Sequence, residues 1–171
     1  MKLGSDRVKR GFLGRIRREL RPFACELNRL YLTKFWGMHI GKDCMISLSS
    51  NLDKTYPRGI HIGDSTAINF GVVILTHDYS RHIHLDTVIG SHCLIGAHSI
   101  IMPGVTIGDG CVVAPASVVV KDVPPHTLVA GNPGRHIEKG IRTGRWGRLL
   151  RDDAPAPQQA AAETPEPVVQ G

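Results

Sequence analysis

Aromatic residues are scarce in this chain, nine of 171 (four Phe, two Trp, three Tyr). Long apolar runs are missing altogether. Nothing approaches the roughly 18 uninterrupted apolar residues of a membrane span, and no apolar signal core follows the basic start. A cytoplasmic location is the expectation. Cysteine occurs four times but never as C-x-x-C, so redox and zinc-knuckle spacings are excluded. Acidic residues are short in one region only. Residues 1–36 hold ten Lys/Arg against three Asp/Glu, and the remainder eleven against twelve. The net charge of +6 therefore belongs to an N-terminal arm. That arm has no recognised nucleic-acid-binding motif, so no nucleic-acid partner is expected.

What the chain does have is glycine, 19 residues, and a strict short repeat. From Ile89 to Pro124 it reads IGSHCL, IGAHSI, IMPGVT, IGDGCV, VAPASV, VVKDVP. The lead positions 89, 95, 101, 107, 113 and 119 are Ile, Ile, Ile, Ile, Val and Val. A six-residue period fits neither a helix nor a simple strand alternation. It is the signature of a parallel β-helix, in which each six is one short strand plus one turn. Three sixes make one triangular coil, and coils stack at about 4.8 Å, the inter-strand spacing. Cys44, Cys93 and Cys111 each follow a lead aliphatic by four places, a slot that also points inward, and read as small core fillers.

The register starts at Ile40, is interrupted over 51–59 by polar, Pro- and Gly-containing sequence, and returns at Ile62. It breaks again over 79–88. Positions 74 and 89 are fifteen apart, which is no multiple of six. An excursion that leaves right after Thr76-His77-Asp78-Tyr79 is where function is expected, because loops on repeat scaffolds carry it. Upstream, Phe12, Ile16, Leu20, Phe23, Leu27, Leu30, Tyr31 and Phe35 are spaced by three and four. They predict an amphipathic helix within 6–36, bent or restarted at Pro22 and ending before Gly37. Two readings of that helix stay open. It caps the open end of the prism, or its basic, apolar-striped surface touches an anionic membrane, at the inner face in a cell. Downstream, VAGNPG (129–134) exits the prism, residues 135–151 read as a short helical segment, and 152–171 as a disordered tail. The expected organisation is thus an arm (1–37), a left-handed β-helix domain (38–134), a C-terminal helical segment and the tail.

The order THDYS, then IGAHSIIMPGVTIGDGCVV, then SVVVKDVPPHTLVAGNPG resembles the bacterial hexapeptide-repeat acetyltransferases. It is most similar to the sugar and polysaccharide O-acetyltransferases of the nodulation-protein-L, maltose and colanic-acid types, over roughly residues 40–140. The resemblance implies a left-handed β-helix, a homotrimer, and acetyl-CoA laid in the groove between two prisms. It implies His77 as general base, with Asn69 near the acceptor. It also implies CoA contacts from Ala97, Pro115, Val120, Lys121 and Arg135. The sequence departs from the family at Pro115 (commonly Ala), Val120 (commonly Thr) and Gly134 (commonly Ala).

The chemistry agrees with a histidine. A sugar hydroxyl is a poor nucleophile near neutral pH, and imidazole can take its proton and return it to the leaving thiolate. No nucleophile elbow is present, so direct attack needs no covalent enzyme intermediate. A catalytic His wants an orienting partner. Asp78 is adjacent, Asp86 closes the excursion, and Asn69 lies upstream. For Asp78, strict register would turn the carboxylate into the apolar interior, so either the register fails there or the group is paired. Tyr79, His82, His84 and Asp86 are the candidate contacts to a small-molecule or lipid-linked sugar acceptor. His92 and His98 fill one slot of successive sixes and are expected to stack on the outer face. Two other readings compete with this one. One is a γ-carbonic-anhydrase-like zinc enzyme, for which His77 and His82 give an H-x-x-x-x-H spacing but Gly41 stands where a third ligand belongs; no metal is expected. The other is a non-catalytic scaffold.

Overall fold

The structure is a computed structural model. It describes residues 12–150, and for residues 12–22 the backbone alone. The tail expected beyond 151 and the first part of the arm lie outside the described residues.

Three parallel sheets are visited in strict rotation. Strands β1 (His39–Ile40), β4 (Ile60–Ile62), β9 (Thr87–Ile89) and β12 (Thr106–Ile107) form sheet I. Strands β2 (Met45–Ile46), β5 (Ala67–Ile68), β10 (Leu94–Ile95), β13 (Val112–Val113) and β15 (Thr127–Ala130) form sheet II. Strands β3 (Asn51–Leu52), β6 (Val73–Ile74), β11 (Ile100–Ile101) and β14 (Val118–Val119) form sheet III. Lead residues stack on lead residues: Ile40 on Ile62 on Ile89 on Ile107, Ile46 on Ile68 on Ile95 on Val113, and Leu52 on Ile74 on Ile101 on Val119. None of these is more than 7% exposed, and they form one core shared by all three sheets. Burial of each such aliphatic contributes on the order of 2 kcal/mol.

The glycine after a lead residue is explained at the corner between sheets I and II. A Cβ at Gly63 would sit 2.6 Å from the Ser91 backbone nitrogen, and one at Gly90 2.7 Å from that of Asp109. The space is used by side chains of the next coil that close the turns: Lys42 N–H donates to Asp64 Oδ1 (2.6 Å), Asp64 N–H to Ser91 Oγ (3.1 Å) and Ser91 N–H to Asp109 Oδ1 (2.6 Å). The inward slot three residues after these glycines is a second ladder. Cys44, Thr66, Cys93 and Cys111 donate to the carbonyls of Gly63, Gly90, Gly108 and Pro124. All three thiols are buried, and burial raises their pKa, that of Cys93 to about 12.

Four expectations are corrected. Register persists through Leu52, which stacks under Ile74, so the first excursion is residues 53–59, not 51–59. The helix α1 (Phe12–Lys34) runs through Pro22 as one element, so the chain does not restart there. It meets β1 and β2, with Leu32 joining the shared core and Cys25 buried as well, while Phe23, Leu27, Leu30, Tyr31 and Phe35 of the expected stripe are exposed. His92 and His98 do not stack on each other. They occupy different corners, both with positive φ, and the His98 ring covers Gly71 and meets Phe70 edge-on.

The C-terminal helix is the fourth correction. Gly131 (φ +98) and the turn through Gly134 send the chain back as β16 (Arg135–Lys139), antiparallel to β15. A strap then follows with positive φ at Gly140, Trp146 and Gly147, which a helix cannot accommodate. The strap runs along the I–II corner, binding carbonyls of residues that themselves have positive φ. Ile141 N–H donates to His126, Thr143 Oγ1–H to His92, Trp146 N–H to Ser65 and Trp146 Nε1–H to Asp43. Arg145 adds an ion pair to the Asp43 carboxylate.

Candidate active site

The two excursions leave from the same corner, between sheets III and I, in successive coils. The second is a small hairpin: β7 (His77–Asp78) pairs antiparallel with β8 (Ile83–His84), His77 opposite His84. Buried threonines pin it at both ends. Thr76 Oγ1–H donates to the Tyr56 carbonyl of the first excursion (2.8 Å), and Thr87 Oγ1–H to the Leu75 carbonyl (2.6 Å).

Where the loops meet, Asp53 holds His77. One carboxylate oxygen, Oδ2, accepts the Thr76 N–H (2.9 Å), the His77 N–H (3.1 Å) and the His77 ring Nδ1–H. The other, Oδ1, accepts the Thr55 N–H (2.8 Å). Four donors thus meet an ionised carboxylate, three at Oδ2 and one at Oδ1. Burial alone would push the Asp53 carboxyl up. The Thr76, His77 and Thr55 hydrogen bonds and the nearby imidazole outweigh it and hold the group well below the usual carboxylate range. With Asp53 acceptor-only, the proton sits on Nδ1 and Nε2 is the basic nitrogen. The Asp53 side chain is 3% exposed and that of His77 28%, so the ring is anchored at one end and open at the other. The arrangement can take a proton from an incoming hydroxyl and carry the resulting positive charge against a fixed carboxylate.

Asp53 is the residue that sequence reasoning missed. Its signal was its place, immediately after the last in-register residue Leu52 and at the root of a loop. Of the proposed partners, Asp78 is turned outward, because β7 leaves the coil. Its Oδ1 accepts Ser80 N–H, Ser80 Oγ–H and Arg81 N–H, and these bonds hold its carboxyl below the usual range, the Ser80 hydroxyl foremost. Asp78 thus shapes the hairpin tip rather than touching His77. Asp86 pairs with His61 Nε2 (3.3 Å). Asn69 directly follows β5, on the II–III corner, and its side chain finds no hydrogen-bond partner among the described residues. Tyr79 and His82 lie together at the exposed tip, ring centroids 5.7 Å apart, and the His84 ring meets Tyr56 at 5.4 Å. Of the remaining candidates, Ala97 and Pro115 stack on the II–III corner, Val120 and Lys121 lie on the III–I corner above His77, and Arg135 opens β16. Among the described residues no three His, Cys, Asp or Glu side chains converge as metal ligands, and His82 is engaged with Tyr79 rather than His77.

Residues 86–121 match the family described as bacterial transferase hexapeptide (six repeats). The chain is 41% identical over 118 residues to "Putative acetyltransferase YvoF" of Bacillus subtilis (strain 168), covering 68% of each chain. It is 52% identical over 65 residues to a chloramphenicol acetyltransferase of Escherichia coli, 38% of this chain and 31% of that one. Among solved structures, the hexapeptide-repeat-containing acetyltransferase VCA0836 of Vibrio cholerae aligns with TM-score 0.52 and 29% identity over 76% of this chain and 89% of that one. The same protein complexed with acetyl coenzyme A aligns with TM-score 0.50 and 28% identity, over 81% and 92%. The polySia-specific acetyltransferase NeuO aligns with TM-score 0.53 and 29% identity, over 67% and 55%.

Proposed function

This chain belongs to the bacterial hexapeptide-repeat acetyltransferases, and we propose that it moves the acetyl group of acetyl-CoA to a hydroxyl of a sugar or polysaccharide intermediate. The observation that carries the mechanism is the buried Asp53 with its four donors, which fixes the tautomer of His77. His77 Nε2 takes the hydroxyl proton as the oxygen attacks the thioester carbonyl. The tetrahedral adduct then collapses, the C–S bond breaks, and the imidazolium returns the proton to the thiolate. The products are an acetyl ester and free CoA. Asp53 is a positioning residue in this scheme. Tyr79, His82, His84 and Asp86, all in the second excursion, are assigned to the acceptor.

The acetyl-CoA site calls for more than one copy of the chain. Ala97 and Pro115 stand at one edge of sheet III, and Val120 and Lys121 at the other. A flat face separates them, so one chain cannot wrap both around a pantetheine arm. Three rungs of the outward ladder of sheet III, Val73, Ile100 and Val118, are apolar and half-buried, and the fourth, Asn51, is polar and exposed. Three prisms of left-handed sense packed through such faces bring the Ala97 edge of one copy to the His77 edge of the next. Asn69 of one copy would join His77 of another in the same way. Lys121 and Arg135 supply cations for the CoA phosphates.

The test is a panel of sugar acceptors with acetyl-CoA, followed by release of free thiol, in the wild type and in His77→Ala. The expected loss is about 10² to 10⁴ in turnover with acetyl-CoA binding retained. Undiminished thiol release by His77→Ala with an acceptor the wild type uses would end this reading.

A further inference from the structure

The apolar stripe of α1 is not spent on the fold. The helix faces the coil through Cys25 and Leu32, each 6% exposed, with Arg29 Nη1 donating to the Gly41 carbonyl (3.4 Å). On its other side Phe23, Leu27, Leu30 and Tyr31 lie 65, 51, 40 and 48% exposed, and Phe35 follows at 70%. Tyr31 and Phe35 stack at 5.3 Å and Phe35 meets Trp36 edge-on, with Lys54 Nζ 5.3 Å from the Trp36 ring centre. Single exposed apolar side chains are ordinary, but four along one face of α1 with Phe35 just beyond its end form a contiguous stripe larger than a protein surface scatters at random.

What would cover it is indicated by charge. The excess of positive charge in the chain is confined to residues 1–36, ten Lys/Arg against three Asp/Glu, while the rest carries eleven against twelve. A stripe of Phe, Leu and Tyr on a helix whose own segment is strongly cationic is the composition of a helix lying in the plane of a negatively charged bilayer surface. No described helix is long and apolar enough to cross a membrane. We propose that α1 docks the protein on an anionic lipid surface, with Phe23, Leu27, Leu30, Tyr31 and Phe35 entering the headgroup boundary. The docking is independent of the acetyl-transfer chemistry. The stripe belongs to α1 and its C-terminal end, outside the loops that carry Asp53 and His77.

The test uses the full chain and sedimentation with vesicles of phosphatidylcholine alone or mixed with phosphatidylglycerol. Binding is expected to the mixed vesicles only, and to fall as salt is raised. The double variant Leu27→Asp/Phe35→Asp is expected to lower the partition coefficient at least about tenfold. Its circular dichroism and its thiol release with a soluble acceptor should match the wild type. Arg17→Glu/Arg18→Glu, which leaves the stripe untouched, is expected to lower binding as well, by about tenfold. Absence of binding to phosphatidylglycerol vesicles at low salt overturns the proposal, as does equal binding to both vesicle types. So does a wild-type assembly that light scattering finds broken down by the Leu27→Asp/Phe35→Asp change, because the stripe would then be an interface between copies of this chain.

Discussion

The I–II corner and the III–I corner are made by the same coil and treat their polar residues differently. At the first, Asp64, Ser91 and Asp109 each accept a backbone N–H of the preceding coil, and a strap from Ile141 to Gly147 ties down the carbonyls that remain. At the second, the register is lost in two successive coils. There a buried carboxylate is spent on holding one imidazole, whose second nitrogen has no partner among the described residues. Regularity consumes hydrogen-bonding capacity, and the break leaves some over for a substrate. A polar residue on a repeat scaffold is thus informative about function where the repeat fails, and mostly about turn closure where it holds.

The sharpest way to test that contrast is Asp53→Asn. It is expected to lower turnover about a hundredfold, some 2.7 kcal/mol, because the amide no longer fixes the Nδ1–H tautomer. It also carries a pH signature. The Asp53 carboxyl is held below its ordinary value, so its contribution to stability is present above the unfolded-state value of about 4 and is lost as pH falls below it. The gap in melting temperature between wild type and Asp53→Asn should therefore be widest at pH 7, begin to shrink below about pH 4, and close only as pH falls through the much lower folded-state value. A gap that does not change with pH would detach Asp53 from the charge-based account.

Next in size is Gly63→Ala at the regular corner. Its Cβ would meet the Ser91 nitrogen at 2.6 Å and the Gly90 carbonyl carbon at 2.7 Å, backbone atoms that cannot yield. Thermal unfolding should show a loss of about 2 kcal/mol, with turnover per folded molecule unchanged. A fall in turnover to match that of Asp53→Asn would show the two corners to be coupled. Trp146→Phe keeps the ring in the strap and deletes the 2.8 Å bond from Nε1–H to Asp43. A loss of about 1 kcal/mol, near 3 °C in melting temperature, is expected with activity intact. Smallest is Asp78→Ala. Its carboxylate serves its own turn, so thiol release should fall less than about threefold. A loss as large as that of Asp53→Asn would return Asp78 to the catalytic group.

The α1 helix shows the limit of periodicity in another form. Spacings of three and four correctly identify a helix with one apolar stripe, because backbone geometry alone puts those residues on one side. They do not say which side turns to the prism. Cys25 and Leu32, outside the stripe, make that contact. The C-terminal segment is a similar case. Arg135–Lys139 has no strong local preference, and its conformation is set by pairing with β15, a partner that composition cannot show. The hairpin at His77 was legible as a break in register but not as a shape.

By itself the sequence determined the coil. A six-residue period with Ile or Val in the lead is a local rule repeated, and every lead residue finds its neighbour one coil away, so counting residues is enough to predict sheets and core. It also marked the place of His77, since the count breaks right after it, while the role of base came from the family resemblance and the chemistry of imidazole. Only the tertiary structure decided which carboxylate serves that histidine. Asp53 is 24 residues from His77 in the chain, and the two meet because both excursions leave the same corner in successive coils. The pairing depends on how two irregular loops fold against each other, and irregular loops follow no period. The stacking that the repeat imposes brings their roots together; the buried hydrogen bonds of Asp53 then select one partner from three acidic residues near the site.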